Sequence, residues 1–146
     1  MTNIGNYPVK SKKINDSLKK TINQSEEFAN TLQETLGKHH TNIEKERQAT
    51  VEILGPILQK WVVEIIHTLF IEGAARFNNI KRKLHGISSR TLTTKLRLLE
   101  DTGFLKRELV SERPVVFEYK LSEKGMVIAT LSSPIIFYLK LEKASE

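Results

Sequence analysis

The stretch at residues 88–100, SSRTLTTKLRLLE, constrains the fold of this chain more than any other. Leu92, Leu96 and Leu99 recur at helical spacing, which predicts a helix with one apolar face. Ser88 or Ser89 is a typical N-cap for it. The opposite face carries hydroxyl and basic side chains. We therefore expect one face to pack on a core and the other to meet a polar, anionic partner.

A short helix-like segment at residues 77–84 lies directly upstream, and His85-Gly86-Ile87 joins the two segments. Phe77, Ile80 and Leu84 form its buried side. Two short helices joined by a tight turn are typical of a helix-turn-helix, whose second helix presents its N-terminal residues to the DNA major groove. The sequence therefore predicts a recognition helix at residues 89–100.

The flanking segments predict a core helix and a wing. The core helix is expected at residues 57–71, since Gly55-Pro56 suits a helix start and Gly73 a helix end. Two alternating runs at 104–110 and 115–121, separated by a turn at 111–114, predict two strands. The predicted fold class is mainly α with a small β-hairpin wing (α+β), a winged helix-turn-helix with a long N-terminal helical extension.

The C-terminal part predicts two more helices. Ser122 can cap the first, in which we expect four residues to face inward: Met126, Ile128, Ala129 and Leu131. Pro134 should break it before a last apolar helix at residues 135–141. The predicted domains are an extension at 1–50, a DNA-binding domain at 51–133, and a C-terminal helix at 134–146 that serves as a possible dimer contact.

Apolar residues in the extension recur from Leu18 to Ile43 at alternating steps of four and three, which predicts a heptad seam. The seam is weak, because Ser25 and His39 are polar. Residues 44–48 are expected to form a break or a solvated turn. A helix cannot bury such a stripe on itself, so we favour pairing with a second copy of the chain. Folding back onto its own domain is the alternative.

The composition narrows the possible partners and chemistry. A formal charge of +6 and a pI near 9.6 favour nucleic acid. With no cysteine, the chain can form neither disulfides nor thiolate metal sites, and it can carry no thiol redox switch. No apolar run approaches the roughly 18 residues that span a bilayer, and no signal peptide is evident. We therefore expect a cytoplasmic protein without a membrane partner.

Motifs of catalysis are absent from the sequence. It has no GxSxG, no phosphate-binding glycine loop and no HExxH. Its four histidines include one adjacent pair, His39 and His40, but no cluster at ligand spacing. We therefore expect no enzyme activity, no metal and no cofactor.

Residues 57–131 resemble the HxlR-type transcriptional regulators, relatives of the MarR group. The resemblance rests on short segments in the right order: KW at 60–61, RFNNI at 76–80, GIS at 86–88, LLEDTGFLKR at 98–107 and EYKLSEKG at 118–125. It implies a homodimeric, sequence-specific DNA-binding regulator. The chain lacks the cysteine that many members carry near the start of the winged domain, and it has one proline where the wing turn often has two. The extension before about Val51 also looks longer than is usual in the family.

Candidate DNA contacts divide by role. Arginine can bond bidentately to guanine and threonine methyls can pack on thymine, so five residues are predicted to enter the major groove: Ser89, Arg90, Thr91, Thr94 and Lys95. Arg97 and Lys81 are better placed for phosphates, and Arg107 in the first wing strand joins the DNA-binding set. Arg113 at the wing tip is expected at the minor groove or the backbone. The wing at 104–121 would lie there as a whole.

Two other kinds of binding module remain open. One is a weakly specific architectural DNA-binding protein, and the other is a winged helix that binds protein or RNA. The recognition face has no acidic residue before Glu100, which favours nucleic acid. The operator, the sign of regulation and any effector are left open by the sequence.

Overall fold

The computed structural model describes residues 11–38 and 42–145. Its elements, in chain order, are α1 (Lys12–Lys38), α2 (Ile43–Leu54), α3 (Val62–Glu72), β1 (Ala74–Ala75), α4 (Phe77–Lys83), α5 (Ser89–Asp101), β2 (Leu105–Glu112), β3 (Val115–Leu121) and α6 (Glu123–Ser145). This confirms the predicted mainly helical class with a small antiparallel sheet. The chain divides into two compact units, one of residues 47–130 and one of the residues up to Glu46 with those from Leu131 onward.

The core of the 47–130 unit is built by α3, α4, α5 and the base of the wing. The leucines at 92, 96 and 99 in α5 are at most 1% exposed, so the predicted apolar face is confirmed. Burying a side chain of this size stabilises the fold by about 1.5–3 kcal/mol. The other large core residues come from α3, α4, the turn after α4 and the base of the wing: Val62, Ile65, Ile66, Leu69, Ile80, Leu84, Ile87, Phe104, Leu105 and Leu121.

The core helix α3 begins at Val62, so the predicted start at Ile57 is wrong. Residues 55–61 form turns, and Trp61 has a φ of 73°, in the left-handed region. A residue in that conformation does not continue a right-handed helix, so α3 starts after it. Its predicted end is confirmed, because the Gly73 amide donates to the Leu69 carbonyl at 2.9 Å.

The sheet has three strands in the order β1-β3-β2. β1 was not predicted from the sequence: Ala74 and Ala75 pair with Lys120 and Tyr119 of β3. The hairpin turn holds only residues 113–114, since β2 continues to Glu112 beyond its predicted end at 110. Register shifts between Leu109 and Ser111. Such a shift adds a residue to one strand, which lengthens β2 relative to β3.

The start of α6 is joined to the wing. The Ser122 hydroxyl accepts from the Gly125 amide at 3.0 Å, which confirms the predicted cap, and it donates to the Gly103 carbonyl at 2.6 Å. The Ser122 amide donates to the Phe104 carbonyl at 3.0 Å. A Cβ atom on Gly125 would lie 2.1 Å from that same carbonyl oxygen, so only glycine fits there. The two ends of the hairpin are therefore held together.

The helix α6 continues through Pro134, so the predicted break is wrong. A proline inside a helix removes one backbone donor and costs about 3 kcal/mol, yet α6 continues through it for 23 residues in all. Ala129 is buried and Ile128 is partly buried, as expected. Met126 and Leu131 are 42% and 65% exposed, which contradicts their predicted inward position. The sequence pattern did not distinguish them, because α6 is apolar on nearly all sides.

Residues 123–143 of α6 are long and apolar enough to cross a membrane by length and composition alone. The sequence predicts no apolar run of this length, and α6 reaches it because the helix continues through Pro134. A single helix of this kind is weak evidence for a membrane location, since core helices of soluble proteins meet the same criterion.

The described part of the extension contains two helices, and a continuous helix to Ile43 is not formed, since Asn42 is not helical. α1 ends at Lys38, and Asn42 lies outside a helix and accepts from the amides of Glu44 and Lys45 at 3.0 and 3.2 Å. This cap starts α2 just before the predicted break at 44–48, which is therefore wrong. The seam residue His39 lies outside the described residues.

The seam of α1 is largely open to solvent in a single copy. Leu18 is buried, but Ile22, Leu32 and Leu36 are 37–45% exposed. No residue of α2 is buried. The apolar stripe is thus present as predicted on the described part of α1, and most of it faces solvent.

Candidate nucleic-acid interface

The first turn of α5 is fixed by Ser88. Its hydroxyl accepts from the Thr91 amide at 3.0 Å and donates to Thr91 Oγ1 at 2.8 Å. Of the two candidate serines, Ser88 is thus the cap and Ser89 the first helical residue. Because an N-cap of this kind stabilises a helix by about 1 kcal/mol, it holds the start of α5 in one conformation. Ser89 and Arg90 are exposed on this ordered turn.

The turn before α5 joins it rigidly to α4. Gly86 has a φ of 89°, which glycine adopts without strain. Ile80, Leu84 and Ile87 are all buried beneath the turn. The predicted helix-turn-helix is therefore present, and buried apolar side chains at the turn hold α4 and α5 against each other.

Three predicted contacts follow one another along an exposed face of α5. Arg90, Thr94 and Arg97 are exposed and spaced by four and three residues, so they lie on one side of the helix. Thr91 is half-buried. The Thr94 hydroxyl donates to the Arg90 carbonyl at 3.0 Å, so its proton is used within the helix. Thr94 can therefore offer an acceptor oxygen and a methyl group to a ligand.

Three of the predicted cationic contacts, two in α5 and one in α4, lack carboxylate partners. Across residues 11–38 and 42–145, no ion pair involves Arg90, Arg97 or Lys81. Residues 77–101 contain six basic and two acidic side chains, a net charge of +4 within a chain of +6. Most of the net charge of the chain therefore lies in the helix-turn-helix, where a phosphate backbone would be attracted.

Lys95 differs from the other predicted contacts on α5. It is half-buried, and its Nζ donates to Gln59 Oε1 at 2.5 Å. Gln59 belongs to the turn before α3, 36 residues away in sequence, and no local pattern indicated it. The structure thus holds Lys95 against its own domain, with two ammonium donors left for another acceptor.

The two faces of the wing carry different charge. The outer face has two ion pairs: Lys120 with Glu108 at 2.6 Å, and Arg76 with Glu118 at 3.2 Å. Arg107 lies on the other face, with its Cζ 3.7 Å from the ring centroid of Phe117. Arg113 is exposed at the hairpin turn. The outer face is thus largely neutralised, while Arg107 and Arg113 are not paired with any carboxylate that the structure describes.

The structure identifies no metal site in the part of the chain it describes. No three His, Asp or Glu side chains in residues 11–38 and 42–145 form a group that could hold an ion. The His39 and His40 pair lies outside those residues. The expected absence of a metal and of a cofactor stays a prediction.

An apolar three-helix core, a capped basic helix after a tight turn and an antiparallel hairpin together define a winged helix-turn-helix. The family follows from comparison: residues 56–140, more than half of the chain, match the model of the HxlR-like helix-turn-helix family. The chain belongs to this family and is a DNA-binding transcriptional regulator. This confirms the resemblance found in the sequence. The match leaves out α1 and α2.

Known relatives and structures agree with this assignment. The HTH-type transcriptional regulator YvaP of Bacillus subtilis is 35% identical over 88 residues, which are 60% of this chain and 78% of that protein. A MarR-family regulator structure from Enterococcus faecalis V583 is 30% identical, with a TM-score of 0.59 over 68% of this chain and 93% of that chain. An HxlR-family structure from Thermoplasma volcanium GSS1 is 28% identical, with a TM-score of 0.54 over 63% and 82%.

Proposed function

We propose that the protein binds double-stranded DNA sequence-specifically as a cytoplasmic homodimer, with residues 89–100 in the major groove and the wing at 104–121 on the minor groove or backbone. The observation that carries this proposal is the exposed face of α5, on which Arg90, Thr94 and Arg97 stand without acidic partners beside an ordered N-cap. We assign the protein no catalytic role, no cofactor and no membrane partner.

The contacts divide between base edges and phosphates. Arg90 is suited to guanine, while the methyl groups of Thr91 and Thr94 are suited to thymine. Ser89 supplies a hydroxyl at the first turn, and Lys95 can add a bond from its remaining donors. Four further cations supply affinity without sequence information: Lys81, Arg97 and Arg107 at phosphates, and Arg113 at the backbone or the minor groove.

The second copy is proposed to cover apolar surface that one chain leaves open. In α1 this surface includes Phe28, which is 69% exposed, and Leu32. In α6 it includes Leu131, Ile135 and Leu139, which are 57–65% exposed. Contiguous apolar surface of this kind marks interfaces in soluble proteins. A symmetric dimer would bind two half-sites about 34 Å apart, or a multiple of that spacing.

The proposal is tested by comparing DNA upstream of the protein's own coding sequence with a random duplex of equal length. Binding is titrated from about 50 to 200 mM salt, since phosphate contacts weaken steeply in that range. We expect the upstream fragment to bind about 10³-fold more tightly. Arg90→Ala should remove mainly this preference, because it deletes a base contact. Lys106→Ala is a matched control, since Lys106 is an exposed cation on the outer wing face.

Two results would contradict the proposal. If both duplexes bind alike and lose affinity together with salt, the protein is a weakly specific architectural binder. If neither binds at low salt, the winged helix is a protein-interaction module.

A further inference from the structure

Arg107 and Phe117 form a stacked pair on adjacent strands of the wing. Arg107 is directly opposite Tyr119, and Phe117 is two residues further along β3, so the two side chains are diagonal neighbours on one face. The guanidinium carbon lies 3.7 Å from the ring centroid. At this distance the carbon atom touches the ring, which requires the planar guanidinium to lie over the ring face.

The stack leaves the hydrogen-bonding edge of Arg107 available. The ring contacts the flat face of the guanidinium. The five N–H donors of the guanidinium lie in its own plane and point away from the ring. Arg107 is exposed, and no carboxylate among the described residues pairs with it. The side chain is therefore ordered before any ligand is bound, and ordering a long side chain is one of the costs of association.

The stack faces the side of the wing that carries the helices. Side chains alternate along a strand, so Arg107 shares its face with Leu105 at one end of the hairpin, and Phe117 shares it with Leu121. Both leucines are buried in the core, and β2 contacts α5. The ion pairs of Glu108 and Glu118 lie on the opposite face. Arg107 is thus a fixed, unpaired cation on the face next to the recognition helix.

We propose that Phe117 is a positioning residue that holds the Arg107 guanidinium in place for one phosphate of the DNA backbone flanking the groove occupied by α5. This inference rests on the proposed DNA binding. A competing role for Phe117 is simple packing of the hairpin, since it also pairs with Leu109 in the register.

A double-mutant cycle separates the two roles, with binding to the random duplex measured at several salt concentrations. Arg107→Ala should weaken binding about tenfold and lower the slope of log K against log salt by about one, since one phosphate contact is lost. Phe117→Leu keeps an apolar side chain but removes the ring face, and it should weaken binding about threefold through lost preorganisation. Phe117→Tyr keeps the ring and should bind like the unmodified protein.

The cycle has one decisive comparison. If Phe117 acts through Arg107, adding Phe117→Leu to Arg107→Ala should cause no further loss. An equal loss in both backgrounds would show that Phe117 supports the wing and would overturn the inference. Thermal unfolding of each variant shows whether the hairpin stays folded.

A measurement without DNA tests the stack itself. The Cδ protons of Arg107 should show an upfield NMR shift from the ring in the unmodified protein and in Phe117→Tyr, and should lose it in Phe117→Leu. Absence of the upfield shift in the unmodified protein would overturn this inference but not the proposed DNA binding. If the upfield shift is present but the protein binds no DNA, the proposed function is wrong, and with it the phosphate role of Arg107.

Discussion

The winged unit at residues 47–130 and the helical unit formed by α1 with the end of α6 differ in how far their apolar side chains are buried. In the first, Leu92 is fully buried and Leu96 is 1% exposed. In the second, Leu32 is 45% exposed and Ile135 is 63% exposed. The winged unit therefore completes its core within one chain, whereas the helical unit leaves much of its apolar surface exposed. Large aliphatic side chains thus form a closed core in the winged unit and an exposed surface in the helical unit.

The largest expected effect comes from the core of the winged unit. Leu96→Ala should lower the free energy of unfolding by about 2–5 kcal/mol, because it removes packed atoms and leaves a cavity. Urea denaturation measures this loss. Leu109→Ala in the wing is the control, since Leu109 is 49% exposed and its loss should be far smaller. Equal losses would show that the core does not carry the stability of the unit.

The second prediction tests whether α1 needs a partner. Leu32→Asp should weaken self-association about 100-fold, since a carboxylate would be buried at the interface, a penalty of about 2.7 kcal/mol. Sedimentation velocity over a range of concentrations measures it. Gln33→Asp puts the same residue at an adjacent exposed position and should leave association unchanged. A Leu32→Asp protein that stays fully dimeric at micromolar concentration would remove α1 from the interface.

A smaller effect is expected at the N-cap of α5. Ser88→Ala should lower the free energy of unfolding by about 1 kcal/mol, because the Thr91 amide loses its acceptor. Ser89→Ala should change it by less than about 0.5 kcal/mol, since Ser89 is exposed. Thermal or urea unfolding of the pair gives the difference directly. Equal changes would mean that the cap does not secure the recognition helix.

The smallest effect is expected on the outer face of the wing. Glu108→Gln breaks an exposed ion pair with Lys120 and should change the free energy of unfolding by less than about 0.5 kcal/mol. It also frees a cation, so we expect slightly tighter binding to random DNA at low salt. A fluorescence anisotropy titration checks this. Weaker binding would indicate that Glu108 orders the wing.

The sequence predicted best where local spacing and tertiary burial agree. The three leucines of α5, the Ser88 cap and the hairpin were found because their patterns are short and their neighbours in sequence are their neighbours in space. The family match confirmed the resemblance that these segments carried.

Prediction failed where contacts between distant residues decide the structure. The left-handed Trp61 lies in a turn whose Gln59 binds Lys95, and nothing near residue 59 in the sequence indicates residue 95. The strand β1 exists because β3 offers it a free edge. The sequence predicts a break at Pro134, because an interior proline costs a helix about 3 kcal/mol, but α6 continues through it. The stacked Arg107 and Phe117 were likewise invisible without the hairpin register.

The joint at Ser122 and Gly125 has a consequence for how the wing can change. The chain enters the hairpin at Phe104 and leaves it at Ser122, and these two residues bond to each other at 3.0 Å. Everything between them is therefore a loop closed at its base, and the tip at residues 110–116 contributes no residue to the buried core. Insertions, deletions or new charges at residues 110–116 can alter what the wing contacts without moving the recognition helix. The wing tip is thus a part of this regulator whose length and surface charge can change while the buried core stays the same.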